Sequence, residues 1–343
     1  MSRVRDDDRQ LVDAALERYL ATASESAEDA LELYREISRS IRAGGKRLRP
    51  AFCLMGYRAG GGEDIERAAQ AAAALELLHC FALMHDDVMD GSPMRRGVAS
   101  SHVALGELPD LVGDRSRFGA SAAILAGDMA MVLADRLWWE TVGAETAPNL
   151  QYHLMREEVI AGQFLDLHAS VTDAVTAERS RRISILKSGR YTVERPLLIG
   201  ATLAGAPEEV LEMLRSFGPP VGEAFQLRDD ILGAFGDPEA TGKDAFGDLR
   251  EGKKTTLVAF ARERADADQN AKLDEHLGDA ALTDLGADEI RSVLRETGSV
   301  DRVLQLIEEC LTRALDAVRS VPLPDEVATG LVELAQAAVS RRS

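Results

Sequence analysis

Asp86-Asp87-Val88-Met89-Asp90 is followed at once by Gly91-Ser92-Pro93-Met94-Arg95-Arg96-Gly97. On a helix, four residues advance about 6 Å and turn about 40° beyond one full turn, so Asp86 and Asp90 share a face. Like charges so placed repel and would weaken an isolated helix. A hard cation between them reverses the sign of that interaction. Oxygen ligands of this kind suit Mg2+, which keeps several waters and completes its shell with substrate phosphates. Arg95 and Arg96 offer forked donors to the same phosphates. The plain alternative is a solvated acidic helix end followed by a basic turn, and the attached arginine pair weighs against it.

A second carboxylate pair stands far away in sequence, in Gln226-Leu227-Arg228-Asp229-Asp230-Ile231-Leu232. Taken alone it reads as a surface acidic pair. Two acidic helix ends can face each other across the mouth of a bundle, and together they could hold three Mg2+ ions and a diphosphate. Cationic partners are available. In Gly44-Gly45-Lys46-Arg47-Leu48-Arg49-Pro50 the glycines allow close backbone approach and Pro50 suits a helix start, so Lys46 and Arg49 can address an anion at that helix N-terminus. Lys243, and Lys253 in Gly252-Lys253-Lys254, lie just beyond the second acidic pair, on a stretch that reads as a loop able to close on a phosphate. No Walker loop is present. His79 precedes Asp86 by seven residues, about 20° away around the same helix.

The elements that must position these groups read as helices. The 343 residues are 45% hydrophobic and 5% aromatic, rich in helix formers. Apolar spacing predicts helices from Leu11 to Leu20, from Leu31 toward Gly44-Gly45, over 65–90, from Gly119 to Trp139, from Tyr152 to His168 and from Ala177 to Ala204. Another is expected from Val210 to Gly233, interrupted or entered at Gly218-Pro219-Pro220. Residues 105–117 and 236–254 read as loops, and the remainder as helical. Apolar residues surround the 65–90 segment on all sides, as in a helix central to its bundle. No β alternation and no solenoid repeat is evident, and no linker divides the chain, so residues 1–343 are expected to form one all-α domain. The net charge of −18 argues against nucleic-acid binding. Three scattered cysteines, a polar start and the lack of a long uninterrupted apolar run point to a cytoplasmic protein without a membrane span.

Together these motifs resemble the trans-isoprenyl diphosphate synthases, the polyprenyl synthases. The resemblance runs over about residues 40–256 through Gly44–Pro50, His79, Asp86–Asp90, Arg95-Arg96-Gly97, Gly162-Gln163-Phe164-Leu165-Asp166, Lys187, Gln226–Asp230, Lys243 and Lys253. It implies an all-α bundle around a deep central cavity, a homodimer, and Mg2+-dependent condensation of isopentenyl diphosphate with dimethylallyl, geranyl or farnesyl diphosphate. By the same resemblance, Asp86, Asp90 and Asp229 would bind three Mg2+, supported by Asp87 and Asp230. Lys46, Arg49, His79 and Arg96 would hold isopentenyl diphosphate. Arg95, Lys187, Lys243 and Lys253 would hold the allylic diphosphate, with Ser188 and Gln226 bordering the developing carbocation. Ser188 stands where the family often has Thr.

One departure stands out: the second motif normally ends in an i+4 aspartate, and here position 233 is Gly. Asp237, one turn on, is a partial substitute through water. Phe81, about 7.5 Å down the helix from Asp86, with small Ala82 beside it, resembles the chain-length floor of geranylgeranyl diphosphate synthases. The other readings are a farnesyl or longer-chain synthase, a class I terpene cyclase and a non-catalytic synthase subunit. The cyclase would need a different second motif, and the subunit would be expected to lose its aspartates.

Overall fold

The structure, a computed structural model, describes residues 3–25, 28–172, 176–236 and 246–340. Helices succeed one another as α1 (Arg3–Ser24), α2 (Leu31–Arg42), α3 (Leu48–Ala59), α4 (Ile65–Met89), α5 (Ser101–Gly106), α6 (Arg115–Val142), α7 (Thr146–Ser170), α8 (Ala177–Ser184), α9 (Arg195–Leu203) and α10 (Glu208–Phe235). Further helices follow from Gly247–Arg250 to Asp325–Val339. Among the described residues the only sheet is a hairpin pairing Met94–Arg95 with Val98–Ala99, which the sequence reading did not foresee. Its two-residue turn is Arg96-Gly97, and both have positive φ, 53° and 77°. That is the geometry whose twist matches paired antiparallel strands.

The starts of these helices are written locally. Asp64 accepts from the Arg67 amide (3.0 Å) at the head of α4, and Asp114 from the Arg117 amide (3.0 Å) at the head of α6. Each satisfies one of the orphan donors of a first turn. Helix α4 is buried around most of its circumference, as the sequence predicted. Its alanines 71–74 and Ala123, Ala126, Ala130 and Ala134 of α6 are all fully buried, and small side chains let two helices approach closely. This pair forms the most extensive helix–helix contact in the fold. Both helices are long and apolar enough to cross a membrane by length and composition, and here they pack on each other.

Two expectations are corrected. Residues Ala177–Leu203 are not one regular helix, because Ile185–Glu194 is a π-helical segment between α8 and α9. And α10 runs unbroken through Pro219 and Pro220. The carbonyls those prolines cannot serve belong to Arg215 and Ser216, both exposed, so solvent can take the lost bonds. In smaller shifts, α6 begins at Arg115, Ser101–Gly106 is helical, and part of the expected 236–254 loop, Gly247–Arg250, is a helical turn.

Candidate active site

Asp86 and Asp90, the outer aspartates of the first motif, lie at the end of α4, and each has drawn a cation from a distant element. Lys187 Nζ lies 3.2 Å from Asp86 Oδ1 and 2.7 Å from Asp166 Oδ2. Lys253 Nζ lies 3.7 Å from Asp90 and 3.1 Å from Asp248. Arg95, carried by the hairpin, donates from Nε to Asp87 Oδ1 at 2.6 Å and reaches Asp86 Oδ2 at 3.5 Å. Asp87, 3% exposed, therefore anchors Arg95 at the edge of the site. Burial pushes the Asp86 carboxyl up, but Lys187, Arg95 and Lys253 outweigh it and the net shift is downward. Asp90 is raised to about 6, first by burial and then by its repulsion from Asp86. The two carboxyls are thus pushed in opposite directions, Asp86 toward its ionised form and Asp90 toward its protonated one.

The π segment explains how Lys187 reaches Asp86. A Cβ on Gly162 of α7 would lie 2.4 Å from the Lys187 backbone nitrogen, so only glycine lets that turn sit against α7. π-turns occur mostly as short insertions inside α-helices and are frequent at functional sites. Ser188 follows on the same segment, half-buried.

The basic cluster divides by role. Arg47 is buried, has φ 48°, and pairs with Glu76 at 2.6 Å and Asp13 at 2.9 Å, which makes it structural. Lys46 is exposed at the same turn. Arg49 turns inward: it stacks over the Tyr191 ring, 4.2 Å to the centroid, and donates to Thr192 Oγ1 at 2.8 Å. Its Nε has no partner among the described residues. Burial pulls the Arg49 pKa down. His79 meets the Tyr191 ring edge-on at 6.2 Å, with Nδ1 also unpartnered among the described residues. Its pKa falls well below the ordinary value through burial and then through Arg49, Arg96, Arg95 and Arg47, so it is a neutral imidazole at pH 7. Arg96 donates to the Gly44 carbonyl, which ties the hairpin turn to the Gly44-Gly45 turn. Arg49 and Arg96 thus both place positive charge near His79. Tyr191 and Thr192, which position Arg49, carried no motif signal.

On α10, Gln226 Nε2 donates to Asp230 Oδ1 at 2.9 Å. Burial raises the Asp230 carboxyl to about 7. Asp229, one residue earlier, is half-buried. Lys243 and Asp237 lie outside the described residues. The sequence reading missed Asp248 and gave no role to Asp166, although each contacts a site lysine. Phe81 packs edge-on against His85 at 4.8 Å, and His85 in turn fits over Gly127 of α6, where a Cβ would meet its ring at 2.3 Å. Phe81 and Ala82 are half-buried below the first aspartates. A cavity of ≈ 670 Å³ lined by Tyr34, Arg39, Arg42 and Val98 contains none of the aspartates or site lysines.

Among the described residues no three His, Cys, Asp or Glu side chains close into a ready-made metal cage. Open half-shells of carboxylate, with Asp230 Oδ2 buried and unpartnered among the described residues, fit Mg2+, which takes its remaining ligands from water and phosphate.

Known proteins resemble the chain over most of its length. A geranylfarnesyl diphosphate synthase from Aeropyrum pernix is 35% identical over 303 residues, covering 86% of this chain and 89% of that protein. A geranylgeranyl diphosphate synthase from Sulfolobus acidocaldarius is 30% identical over 321 residues, 92% of each. The crystal structure of geranylgeranyl pyrophosphate synthase from Corynebacterium glutamicum, complexed with isoprenyl diphosphate and magnesium, superposes with a TM-score of 0.94 at 33% identity, covering 98% of this chain and 99% of that one. The Polyprenyl synthetase family matches residues 31–294, and the chain belongs to that family.

Proposed function

We propose that this chain is a Mg2+-dependent trans-prenyltransferase that condenses isopentenyl diphosphate with allylic diphosphates, with geranylgeranyl diphosphate as its main product. The observation that carries this reading is the meeting of Lys187 and Lys253, from two distant elements, with Asp86 and Asp90 on one helix face. Asp86 and Asp90 would hold two Mg2+ and Asp229 a third, with Asp87 and Asp230 in support; the ions supply charge neutralisation of the diphosphate leaving group.

The residues of the chain do the rest. Arg95, Lys187 and Lys253, with Lys243, hold the allylic diphosphate as its C–O bond ionises, acting as fixed charges that need no reorganisation. Ser188 and Gln226 border the cation. Lys46, Arg49, His79 and Arg96 hold the second diphosphate so that the isopentenyl double bond faces the allylic carbon, and the electron pair of that double bond forms the new C–C bond. The proton lost from the adjacent carbon passes to the departing pyrophosphate. Apolar walls below Asp86 keep water from the cation. No nucleophilic Ser or Cys is required.

Phe81 supports a floor for the growing chain at the geranylgeranyl length. The likeness to a geranylfarnesyl synthase favours a second reading, a product one isoprene unit longer. A second copy of the chain is the partner we infer. Phe118, Leu125, Val132 and Trp139 recur every seven residues on α6, all exposed (Trp139 by 62%), and Phe164 of α7 is 65% exposed. A heptad stripe of this kind suits pairing with a symmetry-related helix. Three buried free thiols support a reducing compartment such as the cytoplasm. Incubating the purified chain with Mg2+, isopentenyl diphosphate and each of the three allylic primers tests the activity. Elongated prenyl diphosphates on chromatography are expected, and a cyclised hydrocarbon or no product from the chain alone overturns it.

A further inference from the structure

We propose that Asp248, carried by Gly247–Arg250, completes the second acidic cluster in place of the aspartate missing at position 233. This rests on the reading that places Asp229 and Asp230 on the metal-binding side of the site. A Cβ built on Gly233 would lie 1.8 Å from Asp248 Oδ2 and 2.7 Å from its Cγ. The Asp248 carboxylate therefore fills the volume into which a side chain at 233 would grow from α10, and the two cannot coexist in this conformation. Gly233 is the condition for receiving a carboxylate from another element.

A second observation points the same way. Asp230, 5% exposed, has its Oδ2 buried without a well-formed hydrogen bond, although Gln226 holds its Oδ1 and the Thr256 backbone lies near the carboxylate. An acidic cluster holding a buried, unsatisfied oxygen is costly unless a cation or its bound water completes it. Asp248 also pairs with Lys253 at 3.1 Å, which in turn faces Asp90 at 3.7 Å. From this place the Asp248 carboxylate would accept hydrogen bonds from metal-bound water, the part an i+4 aspartate would otherwise take. Because it sits off α10, it also ties the second cluster to the lysine that faces the first. Asp248 is thus a positioning residue for metal and diphosphate.

The test titrates Mg2+ into the purified protein with inorganic pyrophosphate and reads thermal unfolding as well as turnover. Asp248→Asn keeps the shape and removes the charge. It is expected to raise the Mg2+ concentration for half-maximal stabilisation about tenfold, with no loss of unfolding temperature when Mg2+ is absent. Gly233→Asp combined with Asp248→Ala returns the carboxylate to α10 and should recover most of what Asp248→Ala alone loses. In a Lys253→Met background the Asn substitution should still cost the same factor. Disappearance of the effect there assigns Asp248 only to holding Lys253 and overturns the proposal. So does an Asp248→Asn titration that overlays wild type, which leaves Asp86, Asp90 and Asp229 standing as the metal site. A wild-type protein that gains no stability from Mg2+ and pyrophosphate removes the metal reading itself, and this inference with it.

Discussion

Lys187 lies 3.2 Å from Asp86, a residue 101 positions earlier in the chain, and the π-helical segment with Gly162 is what brings them together. The pair joins the helix that carries the first aspartate motif to a segment whose backbone is π-helical. Its neighbours Arg95 and Lys253 make the same kind of link, so three cations from separate parts of the chain converge on one helix end.

Removing that helix end's first carboxylate should remove catalysis and spare the fold. Asp86→Ala is expected to lower Mg2+-dependent turnover by about 10²–10³-fold or more, with the metal-free melting temperature little changed because the residue is half-buried. Steady-state kinetics beside circular dichroism checks both halves. Near-normal turnover would sink the metal assignment.

Phe81→Ala should lengthen the product. The ring touches His85 and is only half-buried, so its loss should cost less than the about 3–5 kcal/mol of a fully buried aromatic. Chromatography of the products from a shared primer gives the answer. An unchanged distribution removes Phe81 as the floor.

Gly162→Ala should damage both stability and rate. The added methyl would meet the Lys187 backbone nitrogen at 2.4 Å, forcing the π segment away from α7 at a cost of about 1–3 kcal/mol. Calorimetry should show the lower melting temperature. Kinetics should show a fall in kcat because Lys187 no longer faces Asp86. A variant as stable and active as wild type argues against a required close approach.

Acidity should act in opposite directions on the metal-free and metal-loaded protein. Burial raises Asp90 to about 6 and Asp230 to about 7. Between the ordinary carboxylate value of about 4 and these values, the folded chain binds more protons than the unfolded one. The contribution of these two groups to stability therefore falls as pH rises through that window. Mg2+ needs the ionised carboxylates, so stabilisation by Mg2+ and pyrophosphate should grow over the same rise. Thermal unfolding across pH, with and without the metal, shows the two slopes, and Asp230→Asn should flatten the metal-free one. Parallel slopes would contradict the assignment.

The exposed stripe on α6 should hold two copies together. Leu125→Glu with Trp139→Glu places charge in the middle of an apolar pairing face and should convert a dimer to monomers in sedimentation equilibrium. If wild type already sediments as a monomer, the stripe has another use.

Much of this was legible before any coordinates. The i, i+4 aspartates, the arginine pair and the apolar girth of α4 are periodic or contiguous features, and periodicity survives folding. Arg49 and His79 were legible as candidates. Tyr191, against which both ring and guanidinium rest, was not, because a buried aromatic looks the same in sequence whether it fills a core or orients a cation. The prolines of α10 misled because a helix can continue through proline where the carbonyls left without partners face solvent. Arg96-Gly97 as a hairpin turn was hidden for a different reason: the strands on either side are two residues long and carry no alternation. Gly233 read as a loss because a sequence motif records only its own contiguous positions. The carboxylate that fills its space belongs to residue 248.

The π-helical segment also bears on how this site can vary. A π-turn carries one residue more than the α-turn it replaces, and each residue of an α-helix turns the wheel by about 100°. Deleting a residue within Ile185–Glu194 would change the phase between the helical turns before and after it by about 100°, swinging Lys187 or Tyr191 out of line with α4. The chain there can exchange side chains one at a time, but its length is quantised, and no half-step lies between a bulge that aligns both halves and a regular helix that aligns only one.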